Sequence, residues 1–180
     1  MTQQEEKVWF AMRATYRREM IAQRQLDALG IESFVPMRQE LQIKGRRHQR
    51  KLVPAIHNLI FVHAEPLVLQ AQKAKMPYLQ YMMRRGIHER GEKIIVPTDQ
   101  MERFIALTNT PDEELVYLND TEIQLTKGMH VRVHGGSFDG QEGQLVKLAG
   151  YRSRKVVVAI EGVVAVVLVH VAPEQVEVLE

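Results

Sequence analysis

The chain has 180 residues, 45% of them hydrophobic and 26% charged, and it contains no cysteine. This length can bury one sizeable core or two small ones, and without cysteine neither disulfides nor thiolate zinc sites contribute. The longest apolar run, Val163 to Val169, is too short to span a bilayer, and no signal-peptide pattern opens the chain. We therefore expect a cytoplasmic protein built of two small domains.

The net charge of +2 is distributed unevenly. Residues 1–111 hold 18 Lys and Arg against 11 Asp and Glu, residues 112–126 hold five acids and no base, and residues 127–180 hold six of each. The basic character therefore belongs to the first half. This asymmetry favours contact of that half with nucleic acid or with an acidic protein surface, the alternative being a solvated charged face.

The first half alternates between strand and helix patterns. Trp9, the only tryptophan, lies in the first apolar segment, and Gly30 ends the first helical pattern. We predict strands at residues 8–13, 33–37, 56–62, 79–83 and 94–96, and helices at residues 17–29, at residues 66–75 and from the N-cap Thr98 onward. This order predicts an α+β domain over residues 1–110, with an antiparallel sheet flanked by helices.

Residues 38–51 form the most charged segment, with six Lys and Arg against one carboxylate, Glu40. Gly45 in its middle predicts the tip of a hairpin. Six cations on a domain that is already positive favour phosphate contacts over a merely solvated hairpin. We find no recognition helix with polar base-reading side chains, so we do not expect base-specific readout. The candidate nucleic-acid-binding residues are Arg46, Arg47, Arg50 and Lys51, with Arg84 and Arg85 as a smaller site of the same kind.

The second half predicts a linker followed by a small β domain. Residues 111–126 are acidic and show no sustained period, which predicts a linker. From residue 128, Val131 and Val133 alternate with polar residues, and glycine pairs on both sides of Phe138 predict a tight loop between two strands. Further strand patterns lie at residues 155–160, 163–170 and 175–178. They predict a small all-β barrel over residues 127–180, and we expect Phe138 to be partly exposed and able to anchor a partner.

No pattern in the chain predicts an enzyme. The glycines around Phe138 lack the Lys-Ser/Thr of a phosphate loop, and no Gly-x-Ser-x-Gly sequence is present. His130 and His134 share a strand face, but no neighbouring carboxylate in the sequence completes a metal site. We expect a protein that acts by binding, with no catalytic residues, no metal and no cofactor.

Two sets of residues resemble known families. Part of the second half resembles a KOW motif, which occurs in SH3-like barrels of ribosomal proteins and transcription elongation factors; its residues here are Gly128, Val131, Val133, Gly136, Phe138, Gly140, Gly143 and Val146. The first half resembles the domain that NusG-type factors place before their KOW domain. The residues that carry this second resemblance are Trp9, Phe10, Arg13, Tyr16, Glu19, Phe34 to Pro36 and Ile56 to Val62.

The resemblance implies a bacterial transcription elongation or antitermination factor. Its first domain would bind the clamp helices of RNA polymerase, next to the nucleic acid of the elongation complex, and its KOW domain would recruit a ribosomal protein or a termination factor through Phe138. The implied polymerase-binding residues are Trp9, Phe10, Arg13, Tyr16, Ile56 and Leu59, of which Phe10, Ile56 and Leu59 would line an apolar groove.

One departure bears on the subfamily: His57-Asn58-Leu59 stands where the family usually has Pro-Gly-Tyr. The lost aromatic favours a specialised paralogue, of the RfaH or UpxY kind, over the housekeeping NusG. Two alternatives remain. Ile56 and Leu59 could be ordinary core residues, and the chain could be a ribosome-associated RNA-binding KOW protein, although its electrically neutral C-terminal half disfavours the latter.

Overall fold

The computed structural model describes residues 5–86, 90–110, 114–119 and 128–179. The chain divides into two compact units, residues 1–101 and 102–180. The helices are α1 (Glu19–Ala28), α2 (Pro66–Lys73) and α3 (Thr98–Thr108). The strands are β1 (Val8–Ala14), β2 (Glu32–Phe34), β3 (Met37–Lys44), β4 (Arg47–Pro54), β5 (Leu59–Ala64), β6 (Leu79–Tyr81), β7 (Met83–Arg85), β8 (Gly91–Lys93), β9 (Ile95–Val96), β10 (Leu115–Asn119), β11 (Met129–Val133), β12 (Glu142–Val146), β13 (Lys155–Ile160), β14 (Val164–Leu168) and β15 (Val176–Val178). None of the helices in these ranges is long and apolar enough to cross a membrane.

The first unit is built on an antiparallel sheet with β1 at its centre. The strand order is β2-β5-β1-β6, and β9 also pairs with β1. Ala22 and Leu26 lie one turn apart on α1 and, with Leu69 of α2, join the sheet residues in one buried core. Gly30, with φ at +70°, ends the first helix. The predicted α+β architecture, with helices packed on an antiparallel sheet, is confirmed.

Several boundaries differ from the prediction for a local reason. β5 begins at Leu59 and not at Ile56, because Asn58 takes a φ of 67° and the preceding residues form a turn. α1 begins at Glu19 and not at Arg17, because Thr15–Arg17 form a 3-10 turn, here called the β1–α1 turn. Neither conformation continues a strand or a helix.

The predicted basic hairpin is present as a two-stranded sheet of β3 and β4. Its strands pair in continuous register from Met37 opposite Pro54 to Lys44 opposite Arg47. Gly45 has a φ of +61° at the tip, as the sequence predicts.

The second unit contains a six-stranded antiparallel sheet with the order β10-β14-β13-β12-β11-β15. All five residues of β14 are buried. An all-β C-terminal domain is thereby confirmed, with β13, β14 and β15 where strands are predicted. The linker prediction is wrong for residues 115–119: the apolar and aromatic side chains of Leu115-Val-Tyr-Leu suit a strand, and β10 pairs with β14 along its whole length. The remaining linker positions 111–113 and 120–126 lie outside the described residues.

Candidate functional site

The two central strands, β1 and β5, present different residues on their two faces. Phe10, Met12 and Val62 belong to the core that the helices complete. Side chains alternate along a strand, so the neighbours of these residues point to the opposite face. We call this the second face, and it is formed by Trp9, Ala11 and Arg13 opposite His63, Phe61 and Leu59.

Three of the predicted polymerase-binding residues are buried. Phe10 is 1% exposed and lies in the helix-facing core. The expectation that Phe10 and Leu59 line one groove is therefore wrong. Trp9 and Leu59 are also buried, but both lie on the second face. There the rings of Trp9 and His63 stack with centroids 4.7 Å apart, and His63 Nδ1 lies 2.8 Å from Glu32 Oε2. These contacts fix the shape of the second face.

The other three predicted residues reach solvent at one end of the β1–β5 pair. Arg13, opposite Leu59 at the end of the pairing, is exposed. Tyr16 in the β1–α1 turn is 84% exposed, and Ile56, in the turn that precedes β5, is partly exposed. An aromatic, an aliphatic and a guanidinium side chain are therefore available to a partner from neighbouring segments of the fold.

The β1–α1 turn holds two consecutive non-glycine residues in the left-handed conformation. The φ angles are 59° at Tyr16 and 55° at Arg17, and such a conformation costs about 1–3 kcal/mol per residue. Hydrogen bonds hold the turn from two sides. The Arg17 N–H donates to Asn58 Oδ1 at 2.7 Å, and the Thr15 N–H donates to the Tyr78 carbonyl at 2.9 Å.

Arg18 lies between two aromatic rings beside this turn. Its guanidinium carbon is 5.8 Å from the ring centroid of Tyr16 and 5.4 Å from that of Tyr78, and exposed cation–π contacts contribute about 0.5–1 kcal/mol each. The Tyr78 hydroxyl donates to Gln25 Oε1. Burial raises the pKa of Tyr78 and the nearby Arg18 charge partly opposes this rise, so the hydroxyl remains a donor at neutral pH.

The register of the β3–β4 hairpin sorts its charges onto two faces. Residues directly opposite each other share a face. Lys44 is opposite Arg47, and Glu40 is opposite Lys51; we call this side, with Lys44, Arg47 and Lys51, the cationic face. Arg46 lies at the tip beside it. Of the four hairpin residues predicted to bind nucleic acid, Arg47 and Lys51 therefore lie on one face and Arg46 lies next to them.

The fourth, Arg50, lies on the opposite side of the hairpin. It is opposite Leu41, on the face that also carries Ile43 and Leu52. All three aliphatic side chains are more than half exposed. We call this the aliphatic face, and the structure does not bring Arg50 together with the other predicted cations.

The smaller predicted site lies on the β7–β8 hairpin. Arg84 is opposite Glu92 and its Nε lies 3.7 Å from Glu92 Oε2. Arg85 is exposed and lies opposite Gly91. An ion pair between exposed side chains contributes little energy, but it halves the local positive charge of this pair of arginines.

The structure contradicts the expected exposure of Phe138. Its side chain is only 5% exposed within a short 3-10 turn, Gly136–Phe138. The loop closes on itself: the Gly135 N–H donates to Asp139 Oδ1 at 2.6 Å and the Gly140 N–H to the Val133 carbonyl at 2.8 Å. Phe138 is therefore a core residue of the second unit and not an exposed anchor.

Carboxylates from neighbouring strands accompany both His130 of β11 and His134, which directly follows β11, contrary to the expectation from the sequence. His130 Nε2 lies 3.4 Å from Glu142 Oε2, and His134 pairs with Glu177 of β15. Arg132 donates to Glu142 Oε1 at 2.7 Å, and this hydrogen bond holds the pKa of the carboxyl below its usual range. Within the described residues, no group of three or more His, Asp or Glu side chains is placed to hold a metal ion.

Comparison with known proteins identifies the family. The family model for NusG, described as transcription termination factor nusG, matches residues 7–105. The chain belongs to the NusG family of transcription factors, whose members are not enzymes.

A solved structure, "Domain interaction in Thermotoga maritima NusG", is 20% identical, covers 97% of this chain and 98% of its own, and has a TM-score of 0.49. No curated protein matches the chain.

Asn58 and Lys44 were missed as functional candidates. Asn58 joins the β1–α1 turn to the start of β5, and the signal for it was an asparagine at a family glycine position, because asparagine tolerates positive φ. Lys44 becomes part of the cationic face once the hairpin register is counted outward from Gly45.

Proposed function

We propose that this chain binds RNA polymerase through the end of the β1–β5 pair and acts there as an elongation or antitermination factor without catalysis. The contacting side chains are Arg13, Tyr16 and Ile56, and Trp9 and Leu59 support them from the second face. The observation that carries the proposal is that Tyr16 and Arg13 are exposed, and Ile56 partly exposed, at one end of the β1–β5 pair in a chain of the NusG family.

The clamp helices of the polymerase are the partner surface that the family resemblance implies. An exposed aromatic ring and an aliphatic side chain can fill an apolar contact on a helical tip, and Arg13 can pair with an acidic side chain at its rim. The departure at His57-Asn58-Leu59 supports a specialised paralogue, because Leu59 offers a partner no aromatic ring or hydroxyl.

The cationic face and Arg46 are proposed to contact phosphates of the elongation complex, with Arg85 and Arg84 as a secondary contact. A two-stranded ribbon is narrow enough to follow a groove of duplex DNA. Cations on one face can neutralise several phosphates together without reading the sequence.

The second unit is proposed to be a KOW domain that recruits a protein, with a ribosomal protein or a termination factor as the candidate. Residues 127–180, which carry the KOW resemblance, hold six Lys and Arg against six Asp and Glu, so this part of the unit has no electrostatic excess for a phosphate backbone. Exposed polar side chains on β11, β12 and β15, among them His130, together with His134 directly after β11, offer a surface for such a partner. Phe138 is excluded because it is buried.

The test is a binding titration of the full chain against reconstituted elongation complexes, with ribosomes measured in parallel. Ile56→Asp places a carboxylate in the proposed apolar contact and should lower affinity at least about tenfold. Leu67→Asp is the matched control, because Leu67 is an exposed aliphatic residue on α2 outside the proposed surface.

Fluorescence of Trp9 and circular dichroism show whether both variants are folded. Unchanged affinity of folded Ile56→Asp would refute the proposed contact. If the chain binds ribosomes but not elongation complexes, it is a ribosome-associated RNA-binding protein and the proposed polymerase contact is wrong.

A further inference from the structure

The β1–α1 turn combines backbone strain with an exposed side chain. Tyr16 and Arg17 both have positive φ, yet the Tyr16 ring is 84% exposed. A strained conformation persists only where the surrounding structure over-determines it. Since the ring is largely in water, its own burial does not offset this strain, and other groups must hold the turn.

Asn58 supplies two of the bonds that hold it. The Asn58 carbonyl accepts the Ala14 N–H at 2.8 Å, and its side-chain Oδ1 accepts the Arg17 N–H at 2.7 Å. Asn58 itself has a φ of 67°. Glycine would also adopt this backbone conformation, but it has no side chain to accept the second bond. Asn58, which directly precedes β5, therefore holds both ends of the turn by hydrogen bonds.

We propose that Asn58 is a positioning residue, which presents Tyr16 as a preformed contact for the polymerase. This inference rests on the proposed function. Ile56 lies two positions before Asn58, so the same residue also sets the spacing between the aromatic and the aliphatic contact. A contact that is already ordered before binding loses less conformational entropy when the complex forms.

The substitution Asn58→Gly isolates the side-chain bond because it keeps the positive φ. Its conservative partner is Asn58→Asp, which retains an oxygen acceptor for the Arg17 N–H. In the full chain, amide hydrogen exchange at Arg17 should become faster in Asn58→Gly and stay slow in Asn58→Asp. Affinity for reconstituted elongation complexes should fall about threefold to tenfold in Asn58→Gly, the worth of one net hydrogen bond, and recover in Asn58→Asp.

A double-mutant cycle with Tyr16→Ala separates positioning from a general loss of stability. If Asn58 acts through the ring, Asn58→Gly should cause no further loss of affinity once the ring is absent. Additive losses would overturn the proposal, because they would mean that Asn58 acts elsewhere. Leu67→Ala, at a comparably exposed position, serves as the control for trimming a surface side chain.

The remaining outcomes distinguish this inference from the proposed function. Unchanged Arg17 exchange in Asn58→Gly overturns the positioning role whatever the affinity is. Faster exchange with unchanged affinity, while Ile56→Asp still weakens binding, also overturns it but leaves the proposed function standing. If neither Ile56→Asp nor Tyr16→Ala changes affinity, the proposed contact is wrong and the inference falls with it.

Discussion

Phe138→Ala should destabilise the second unit and should not act as a simple deletion of a partner contact. The ring is 5% exposed, so its removal loses nearly the full transfer free energy of a phenylalanine side chain and leaves a cavity. Such substitutions cost about 3–5 kcal/mol. Because small domains are stable by only about 5–15 kcal/mol, a large part of the stability of this unit should be lost.

Amide hydrogen exchange of β11–β15 in the full chain measures this effect directly, whereas Trp9, the only tryptophan, belongs to the other unit. Phe138→Ala should raise the exchange rates of the most protected amides of β13 and β14 by about a hundredfold or more, which corresponds to the lower end of that free-energy range. Val178→Ala, at an exposed position of the same sheet, should change them little. Unchanged exchange in Phe138→Ala would show that the ring contributes nothing to the core, and would restore it as a candidate partner contact.

Three further predictions concern charge and packing. Replacing Lys44, Arg47 and Lys51 of the cationic face by glutamine should flatten the plot of log affinity for the elongation complex against log salt by about 2 to 3 units, because each lost phosphate contact contributes about 0.9. Arg50→Gln alone should leave this slope nearly unchanged. If the triple variant has the same slope as the unsubstituted chain, the cationic face is ordinary solvated charge. The lowered pKa of Glu142 contributes stability that is present above the pKa of an unfolded carboxyl and is lost as pH falls through the folded pKa. Glu142→Gln should therefore lose less stability on acidification, as measured by urea titrations at several pH values. The same loss of stability at low pH in both proteins would contradict this. Gly143→Ala should destabilise β12 and β13 by about 1–3 kcal/mol, because the added Cβ would lie 2.6 Å from the Val157 carbonyl oxygen. Amide hydrogen exchange in these two strands measures the loss of stability. Exchange rates equal to those of the unsubstituted chain would show that the backbone accommodates the methyl group without cost.

The regular elements of both units could be predicted from sequence because their patterns are local. Runs of valine mark β13 and β14, and Gly45 between two runs of charged and aliphatic residues marks the hairpin tip. The hairpin register follows from the position of the tip, so counting residues outward from Gly45 predicts that Arg50 and Lys51 lie on opposite faces. The strand at residues 115–119 was missed because the acidic residues around it resemble a linker, and only its pairing with β14 reveals it.

The candidate site depended more on tertiary structure. Whether Phe10 or Trp9 faces the helices depends on which side of the sheet the helices pack, and an alternating strand pattern does not specify that side. The burial of Phe138 comes from how its glycine-rich loop closes, and glycines permit an inward as well as an outward ring. The Asn58 bond joins residues 41 positions apart in the chain, a distance that no local pattern reports.

The β3–β4 hairpin has a consequence for the behaviour of this protein in solution. It forms a sheet of only two strands, so among the described residues each strand has one edge without a strand neighbour, and Leu41, Ile43 and Leu52 are exposed between those edges. Such edges can pair with another copy, and like charges keep copies apart. Salt screens that repulsion and also weakens phosphate binding. Rising salt should therefore release the hairpin from nucleic acid while making it more prone to self-association.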